Sequence, residues 1–177
     1  DHVKDRNDIT IALSHEKDIL DTGGGIVNAL PLLEDAPFFV SSGDSYLQDG
    51  AGDSALSRME QAWDADKMDI LILLQPVKNM SLTHGVGDYD LDEEGRATRS
   101  PERSGAYMFT SLRINAPRIF SSAPQGSFSY LKLLDDAQSR GKLYGIVHDG
   151  DWHHISTPED VRRVNDALSA HNETGEP

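Results

Sequence analysis

The chain has 177 residues, of which 37% are hydrophobic and 26% are charged, and its formal net charge at pH 7 is −14. This length suits one globular domain of roughly 100–150 residues or slightly more, and no apolar run approaches the roughly 20 residues that cross a bilayer. The negative charge argues against nucleic-acid binding, because proteins of that class present basic surfaces. The absence of cysteine excludes disulfides and thiolate metal sites and permits a cytoplasmic location.

Strands and helices are predicted to alternate through the first half of the chain. In order these are a strand over 8–13, a helix over 25–33, a strand over 38–40, a helix over 53–65 capped by Asp53 or Ser54, and a strand over 70–74. The runs 38–40 and 70–74 have no polar face, which is typical of central strands covered on both sides. This alternation predicts an α/β unit with a parallel sheet.

The second half contains shorter elements separated by turns. The pattern predicts a hairpin that turns at 93–95, a strand over 106–114, a helix over 127–139 and a strand over 142–147. Thr157 as N-cap and Pro158 in the first turn begin a terminal helix. Residues 172–177 are predicted to be a flexible tail, which leaves a single domain over 1–171.

Three consecutive glycines, Gly23, Gly24 and Gly25, stand between the first predicted strand and an apolar helical run. Glycine has no side chain, so a flat or anionic ligand can lie against the backbone N–H groups there. The same residues also fit a flexible loop in which Thr22 or a glycine caps the helix. The triplet by itself leaves both interpretations open.

Several candidate chemical groups follow predicted strands. Asp44 comes soon after the strand 38–40, which places its carboxylate at the carboxyl end of the strand, where α/β proteins bind ligands and often Mg²⁺. A lone aspartate in a turn can instead be structural. His153 and His154 lie before the terminal helix, and alternation along a strand would direct only one of them into a site. Asp88 fits either a contact with a hydroxylated ligand or a solvated turn.

These segments together resemble the sugar-phosphate nucleotidyltransferases, and within them the group of N-acetylmuramate 1-phosphate uridylyltransferases and mannose-1-phosphate guanylyltransferases. The matching segments follow the family's order and cover nearly the whole chain: 20–26, 29–33, 35–40, 43–44, 87–89, 92–96, 116–120 and 152–158. The resemblance implies a Rossmann-like α/β nucleotidyltransferase fold with a mixed, mainly parallel central sheet flanked by helices.

The resemblance also implies a reaction and a site. A sugar-1-phosphate would attack the α-phosphate of UTP or GTP with help from Mg²⁺, giving a nucleotide sugar for cell-wall synthesis and releasing pyrophosphate. Asp44 would be the catalytic carboxylate and Mg²⁺ ligand, and His154 would occupy the second metal position, where many members have Asp. The remaining implied contacts are with the nucleotide through Thr22, Gly23, Gly24 and Gly25, and with the sugar phosphate through Ser42, Gly43 and Asp88.

The family's glycine-rich signature loop, with its Arg and Pro-Lys pair, has no counterpart in residues 1–22. We therefore expect the chain to lack roughly the first third of the family's domain and to be inactive alone. The alternative is a non-catalytic binding or regulatory remnant of the same fold. A hydrolase that uses Asp44 and His154 has only those two residue types in its favour, and the sequence leaves the oligomeric state open, a homo-oligomer included.

Overall fold

The computed structural model of the chain describes residues 6–80, 82 and 85–174. In chain order the helices and strands are α1 (Asp21–Ala29), β1 (Phe38–Val40), β2 (Ser45–Gln48), α2 (Ala55–Ala62), β3 (Ile70–Pro76), β4 (Tyr89–Leu91), β5 (Ala97–Arg99), β6 (Tyr107–Asn115), α3 (Leu131–Ser139), β7 (Leu143–Val147), β8 (Asp151–His154) and α4 (Pro158–Thr174). Among the helices of these residues, none has both the length and the apolar character needed to cross a membrane.

The main sheet has the order β5-β4-β6-β3-β7, and β1 also pairs with β6. One edge of the long strand β6 pairs with β3, while the other edge is shared by β4 and β1. Strands β1, β3, β4 and β7 run in one direction, although only β3 and β7 are parallel neighbours. Strands β2 and β8 form a separate antiparallel pair. The predicted α/β fold with a mixed central sheet is confirmed, but the described neighbours are not mainly parallel, because β6 lies between β3 and both β1 and β4 and runs opposite to them.

Strand β3 lies at the centre of the core, and all seven of its residues are buried. Ile70, Ile72 and Leu74 face the layer that contains α3, whereas Leu71 and Leu73 face the layer that contains α2. A strand covered on both faces needs apolar side chains at successive positions, because alternate residues point to opposite faces. The prediction of a covered central strand over 70–74 is therefore confirmed.

Two predictions for the N-terminal strands are wrong. Residues 6–20 contain no helix or strand, and Leu13 and Ile19 in this segment are strongly exposed. A strand needs a partner for its backbone hydrogen bonds, and no described strand pairs with 8–13. Strand β1 does form at 38–40, but among the described strands it pairs with β6 alone, and Phe39 on it is 41% exposed. It is therefore an edge strand and not a central one.

Element boundaries differ from prediction at several points. Helix α1 already begins at Asp21, so the glycine triplet lies inside the helix and not in a loop before it. Helix α3 begins at Leu131, four residues later than predicted, and β2 was not predicted at all. Helix α4 continues to Thr174, three residues into the predicted tail. Residues 175–177 of that tail lie outside the described residues, and the single domain over 1–171 stays a prediction.

Local signals explain the boundaries that were predicted well. The hydroxyl of Ser54 accepts a hydrogen bond from the amide of Ser57 (3.2 Å) and caps α2. At the start of α4, the amide of Asp160 donates to the hydroxyl of Thr157 (3.2 Å), and the amide of Thr157 donates to the carboxylate of Asp160 (2.9 Å). Such reciprocal capping satisfies amides that have no partner within the helix.

Candidate functional site

Pairing of β2 with β8 brings Asp44 next to His154. Ser45 pairs with His154 in the register of this small sheet, and the amide of Ile155 donates to the carbonyl of Asp44 (2.8 Å). The carboxylate Oδ2 of Asp44 lies 3.9 Å from Nδ1 of His154, and both side chains are about half exposed. The two residues predicted to lie at the metal position are therefore neighbours in the fold.

The two adjacent histidines lie in different environments, as expected for alternate residues of a strand. His153 is 5% exposed, and its ring stacks on Tyr46 with 6.3 Å between the ring centres. Burial lowers the pKa of His153. The ring of His154 instead approaches Asp44, and its Nε2 lies 2.6 Å from the hydroxyl of Ser156. His154 is thus the histidine available to this site.

Asp44 fits Mg²⁺ better than His154 does. Magnesium prefers oxygen ligands and is usually held by one or two carboxylates, waters and substrate phosphates. The half-exposed carboxylate of Asp44 satisfies this pattern, whereas an imidazole nitrogen suits zinc, copper, iron or nickel better. Within the described residues, no three His, Cys, Asp or Glu side chains cluster closely enough to hold a metal ion. A magnesium ion here would therefore need oxygens from substrate and water.

The first two glycines of the triplet pack against the segment 126–128. The amides of Gly23 and Gly24 both donate to the carbonyl of Phe128 (2.9 and 3.3 Å). A Cβ on Gly23 would lie 2.3 Å from the Phe128 ring, and one on Gly24 would lie 2.3 Å from the carbonyl oxygen of Gly126. These amides are already bonded, so they do not form a phosphate cradle. The predicted contact of the triplet with a nucleotide stays a prediction.

Thr22 and Ser42 line the same cavity, which lies between α1, β6 and α3. Its volume is about 130 Å³. The hydroxyl of Thr22 also accepts a hydrogen bond from the amide of Tyr130 (3.0 Å), which ties α1 to the start of α3. The cavity is lined by Thr22, Ser42, Phe109, Ser111, Arg113, Ser129, Tyr130, Leu131 and Leu134. Gly43 follows the lining residue Ser42, and a Cβ on it would meet no atom within 4 Å.

Asp88 lines a second cavity, which has a volume of about 290 Å³ and shares Phe109 and Leu131 with the first. One oxygen of its carboxylate accepts from the amide of Phe109 (3.3 Å), and the other lies 4.0 Å from Nε of Arg103. Gly87 before it has a φ of +81°, and a Cβ there would lie 1.7 Å from the carbonyl oxygen of Gly105. Glycine is therefore required at 87 to place Asp88 at this cavity.

Three arginines at these cavities were missed by sequence analysis. Arg99 and Arg103 line the larger cavity, and Arg113 lines the smaller one. Arg99 is held by both carboxylate oxygens of Asp135 (2.9 Å each). Arg113 could have been noticed in the sequence, because it is a single charged residue between two apolar residues of a predicted strand. The cations near the candidate site thus come from the second half of the chain.

Two solved structures share the architecture of this chain. HddC from Yersinia pseudotuberculosis, complexed with GMP-PN, superposes with a TM-score of 0.63 at 23% identity, covering 86% of this chain and 64% of that one. A UDP-glucose pyrophosphorylase complexed with UDP-glucose gives a TM-score of 0.66 at 16% identity, covering 87% and 64%. Likeness at such identities concerns the fold, and it confirms the nucleotidyltransferase fold implied by the sequence.

Curated sequence relatives confirm the resemblance to the sugar-phosphate nucleotidyltransferases. The N-acetylmuramate alpha-1-phosphate uridylyltransferase of Caulobacter vibrioides is 31% identical over 151 residues, which cover 84% of this chain and 62% of the relative. The enzyme of the same name from Neisseria meningitidis serogroup B is 26% identical over 139 residues, covering 78% and 58%. No protein-family model matches the chain. The chain spans about three fifths of the length of these relatives.

Proposed function

We propose that the protein containing this chain transfers a nucleotidyl group from a nucleoside triphosphate to a sugar-1-phosphate. The observation that carries the proposal is the 31% identity over 151 residues with an N-acetylmuramate alpha-1-phosphate uridylyltransferase. UTP and N-acetylmuramate 1-phosphate are accordingly the first substrates to test, and GTP is the second nucleotide. The cytoplasmic location and the role in cell-wall synthesis implied by the resemblance belong to the same proposal.

In the proposed reaction, a phosphate oxygen of the sugar-1-phosphate attacks the α-phosphorus of the triphosphate. The new P–O bond forms while the bond from the α-phosphorus to the bridging oxygen breaks, and pyrophosphate leaves with that oxygen. Little covalent chemistry is required of the protein, so catalysis consists of positioning and charge neutralisation. A bound Mg²⁺ would supply part of that neutralisation.

The residues of the chain have distinct roles in this proposal. Asp44 holds the metal, because its half-exposed carboxylate provides the oxygen ligand that Mg²⁺ prefers. His154, which approaches Asp44 to 3.9 Å, stands at the second metal position and orients that carboxylate. The hydroxyl of Ser42 faces the sugar phosphate from the smaller cavity, and Asp88 accepts from a sugar hydroxyl in the larger one.

The proposal also assigns the nucleotide to the end of the sheet near α1. Thr22 lies in the first turn of this helix and lines the smaller cavity. Gly25 is the glycine of the triplet whose Cβ position meets only a flexible side-chain end, at 2.7 Å from Oε1 of Glu16. A base can approach there if Glu16 moves aside. Gly23 and Gly24 hold this part of α1 in place, because their amides donate to the carbonyl of Phe128.

The test is pyrophosphate release by the full-length protein from UTP and N-acetylmuramate 1-phosphate in the presence of Mg²⁺. Arms with GTP and with glucose 1-phosphate or mannose 1-phosphate define the base and the sugar. We expect Asp44→Asn to lower kcat by about 10²-fold or more, because charge neutralisation at the metal is worth several kcal/mol. Turnover should disappear with EDTA and return with Mg²⁺, and the isolated 177-residue chain should be inactive.

The competing function is a non-catalytic binding or regulatory domain with the same fold. Ser42 and His154 favour it, because the resemblance implies an Asn at position 42 and, in many members, an Asp at position 154. Both functions predict that UTP raises the thermal unfolding midpoint, because a ligand of the native state stabilises it. Binding of UTP without turnover in every substrate arm would contradict the enzyme and support the binding domain.

A further inference from the structure

Arg113 is a buried cation in the middle of the main sheet. Only 5% of the residue is exposed, and its neighbours across the strands are Val40 of β1 and Ile72 of β3. The residues flanking it in β6, Leu112 and Ile114, belong to the apolar core. Arginine is almost never buried in this way unless it is paired.

The partners of Arg113 are neutral. Its Nη1 donates to the carbonyl of Ser111 (2.9 Å), and its guanidinium lies 3.9 Å above the ring of Tyr130. The Nε atom is buried and has no hydrogen-bond partner in the part of the chain that the structure describes, and no carboxylate there forms an ion pair with this side chain. An uncompensated buried charge is costly, so the site is complete only when an anion is added.

The cavity beside Arg113 offers the donors that an anion needs. Besides the guanidinium, the hydroxyls of Ser42, Ser111 and Ser129 belong to residues that line this space of about 130 Å³, whereas the hydroxyl of Thr22 already donates to Asp21 (3.1 Å). The tyrosine below the guanidinium stays neutral, because burial raises the pKa of Tyr130, and its hydroxyl donates to Asn115. Several hydroxyls around one planar cation suit the tetrahedral oxygens of a phosphate group.

The charge of the whole molecule makes a local cation necessary. At a net charge of −14 the chain repels anions at long range, so a phosphorylated ligand must be held by short contacts. Arg99 is already neutralised by Asp135, and Arg103 lies 4.0 Å from Asp88. Of the three arginines at the two cavities, Arg113 is the one without a carboxylate among the described residues.

We propose that Arg113 is a binding residue for a phosphate group, which its guanidinium holds in the cavity formed by Thr22, Ser42 and Ser129. The larger cavity shares Phe109 and Leu131 with this one, so the rest of a phosphorylated ligand can extend towards Asp88. The identity of that ligand rests on the proposed function: a phosphate monoester would come from the sugar-1-phosphate, and a polyphosphate from the nucleotide. The anion site itself needs only the geometry around Arg113.

The direct test is a ¹H–¹⁵N NMR titration of the 177-residue chain that follows the Nε–H signal of Arg113, assigned by its loss in Arg113→Lys. Inorganic phosphate, glucose 1-phosphate and UTP are the phosphorylated probes, and glucose is the uncharged control. We expect a saturable shift with at least one phosphorylated probe and none with glucose. The probe that saturates at the lowest concentration distinguishes the monoester from the polyphosphate. No saturable shift with any probe overturns the proposal.

Variants separate a binding role from a packing role. We expect Arg113→Met to weaken phosphate binding by about 10- to 100-fold, the range for losing a charge-assisted hydrogen bond worth about 1.5–3 kcal/mol. Arg113→Lys should recover part of the loss, because it restores the charge without the planar fork. Arg96→Met is the matched control, since Arg96 also lies over a tyrosine, 5.9 Å from the ring centre of Tyr144, but outside both cavities.

The outcomes are independent of whether the full-length protein is an enzyme. A saturable phosphate shift at Arg113 without turnover by the full-length protein supports the anion site and contradicts the proposed function. Turnover by a full-length Arg113→Met variant with an unchanged KM for both substrates, together with no shift of Nε–H, overturns the anion site alone. Equal weakening of binding by Arg113→Met and Arg96→Met would also overturn it, because the effect would then be general electrostatics.

Discussion

At the scale of single residues, His153 and His154 show how one position along a strand changes the chemistry of a side chain. His153 is buried and stacks on Tyr46 of β2, whereas His154 is partly exposed and approaches Asp44. Burial lowers the pKa of His153, with a further decrease from the charge of Arg163 and an opposing increase from Asp151. The neutral ring is therefore the form that packs against Tyr46.

This burial predicts a pH dependence of stability. The unfolded chain binds a proton at His153 near its ordinary pKa of 6.5, while the folded chain binds it only at lower pH. The free energy of unfolding should therefore fall as the pH decreases below about 6.5, until the pH reaches the lower pKa of the folded state. Replacing His153 by Gln should reduce the loss of stability between pH 7.5 and pH 5.5. Chemical denaturation at the two pH values measures it, and equal losses for wild type and variant would contradict the assignment.

At the scale of elements, the glycine triplet joins α1 to the segment before α3. Gly23 and Gly24 have buried positions and share the carbonyl of Phe128, whereas Gly25 lies on the more open side of the helix. Glycine therefore stands at these three positions for different structural reasons. Gly23 leaves room for the ring of Phe128 and Gly24 for the backbone of Gly126, whereas Gly25 leaves a more open helix position without a side chain.

Alanine substitutions distinguish these reasons. Gly24→Ala would place its Cβ 2.3 Å from the carbonyl oxygen of Gly126, so we expect a loss of about 1–3 kcal/mol in the free energy of unfolding, as in other overpacked sites. Gly25→Ala meets only the mobile end of Glu16 and should be neutral or stabilising by up to about 1 kcal/mol, because alanine favours the helix. Urea denaturation compares the two variants. A stability loss of the same size at Gly25 would contradict the packing explanation.

At the scale of the whole molecule, Asp69 connects parts of the chain that are distant in sequence. It is 2% exposed and lies next to the start of β3. Its carboxylate accepts from Nε of Arg118 (2.6 Å), which follows β6, and forms an ion pair with Arg140, which follows α3. The amide of Asp69 donates to the carbonyl of Lys142 before β7 (2.9 Å). Asp69 thus connects the ends of β6 and α3 through its carboxylate and the start of β7 through its amide.

We expect Asp69→Asn to lower the free energy of unfolding by about 2–4 kcal/mol, because it leaves two arginines without their buried partner. The matched control is Asp64→Asn, which removes an exposed pair with Lys67 (3.0 Å) and should change stability little. Thermal unfolding with and without added salt tests both variants. A similar small effect at Asp69 and Asp64 would show that the buried pair does not hold the fold together.

The sequence by itself determined the features that depend on neighbouring residues. The apolar run 70–74 predicts a strand covered on both faces, and Ser54 and Thr157 mark the starts of α2 and α4 through hydrogen bonds within a few residues. The order of matching motifs was enough to reveal the resemblance, which the curated relatives confirm, and to imply the fold, which the solved structures confirm. Each of these signals acts over a short stretch of chain or is a pattern of residue types.

Only the tertiary structure decided the features that depend on distant partners. The apolar segment 8–13 reads as a strand, yet no described strand pairs with it, and strand formation requires such a partner. Pairing of β2 with β8 brings His154 to Asp44, and packing of α3 on β6 buries Arg113 over Tyr130. Proximity and burial arise from long-range packing, so the composition of a local stretch does not reveal them.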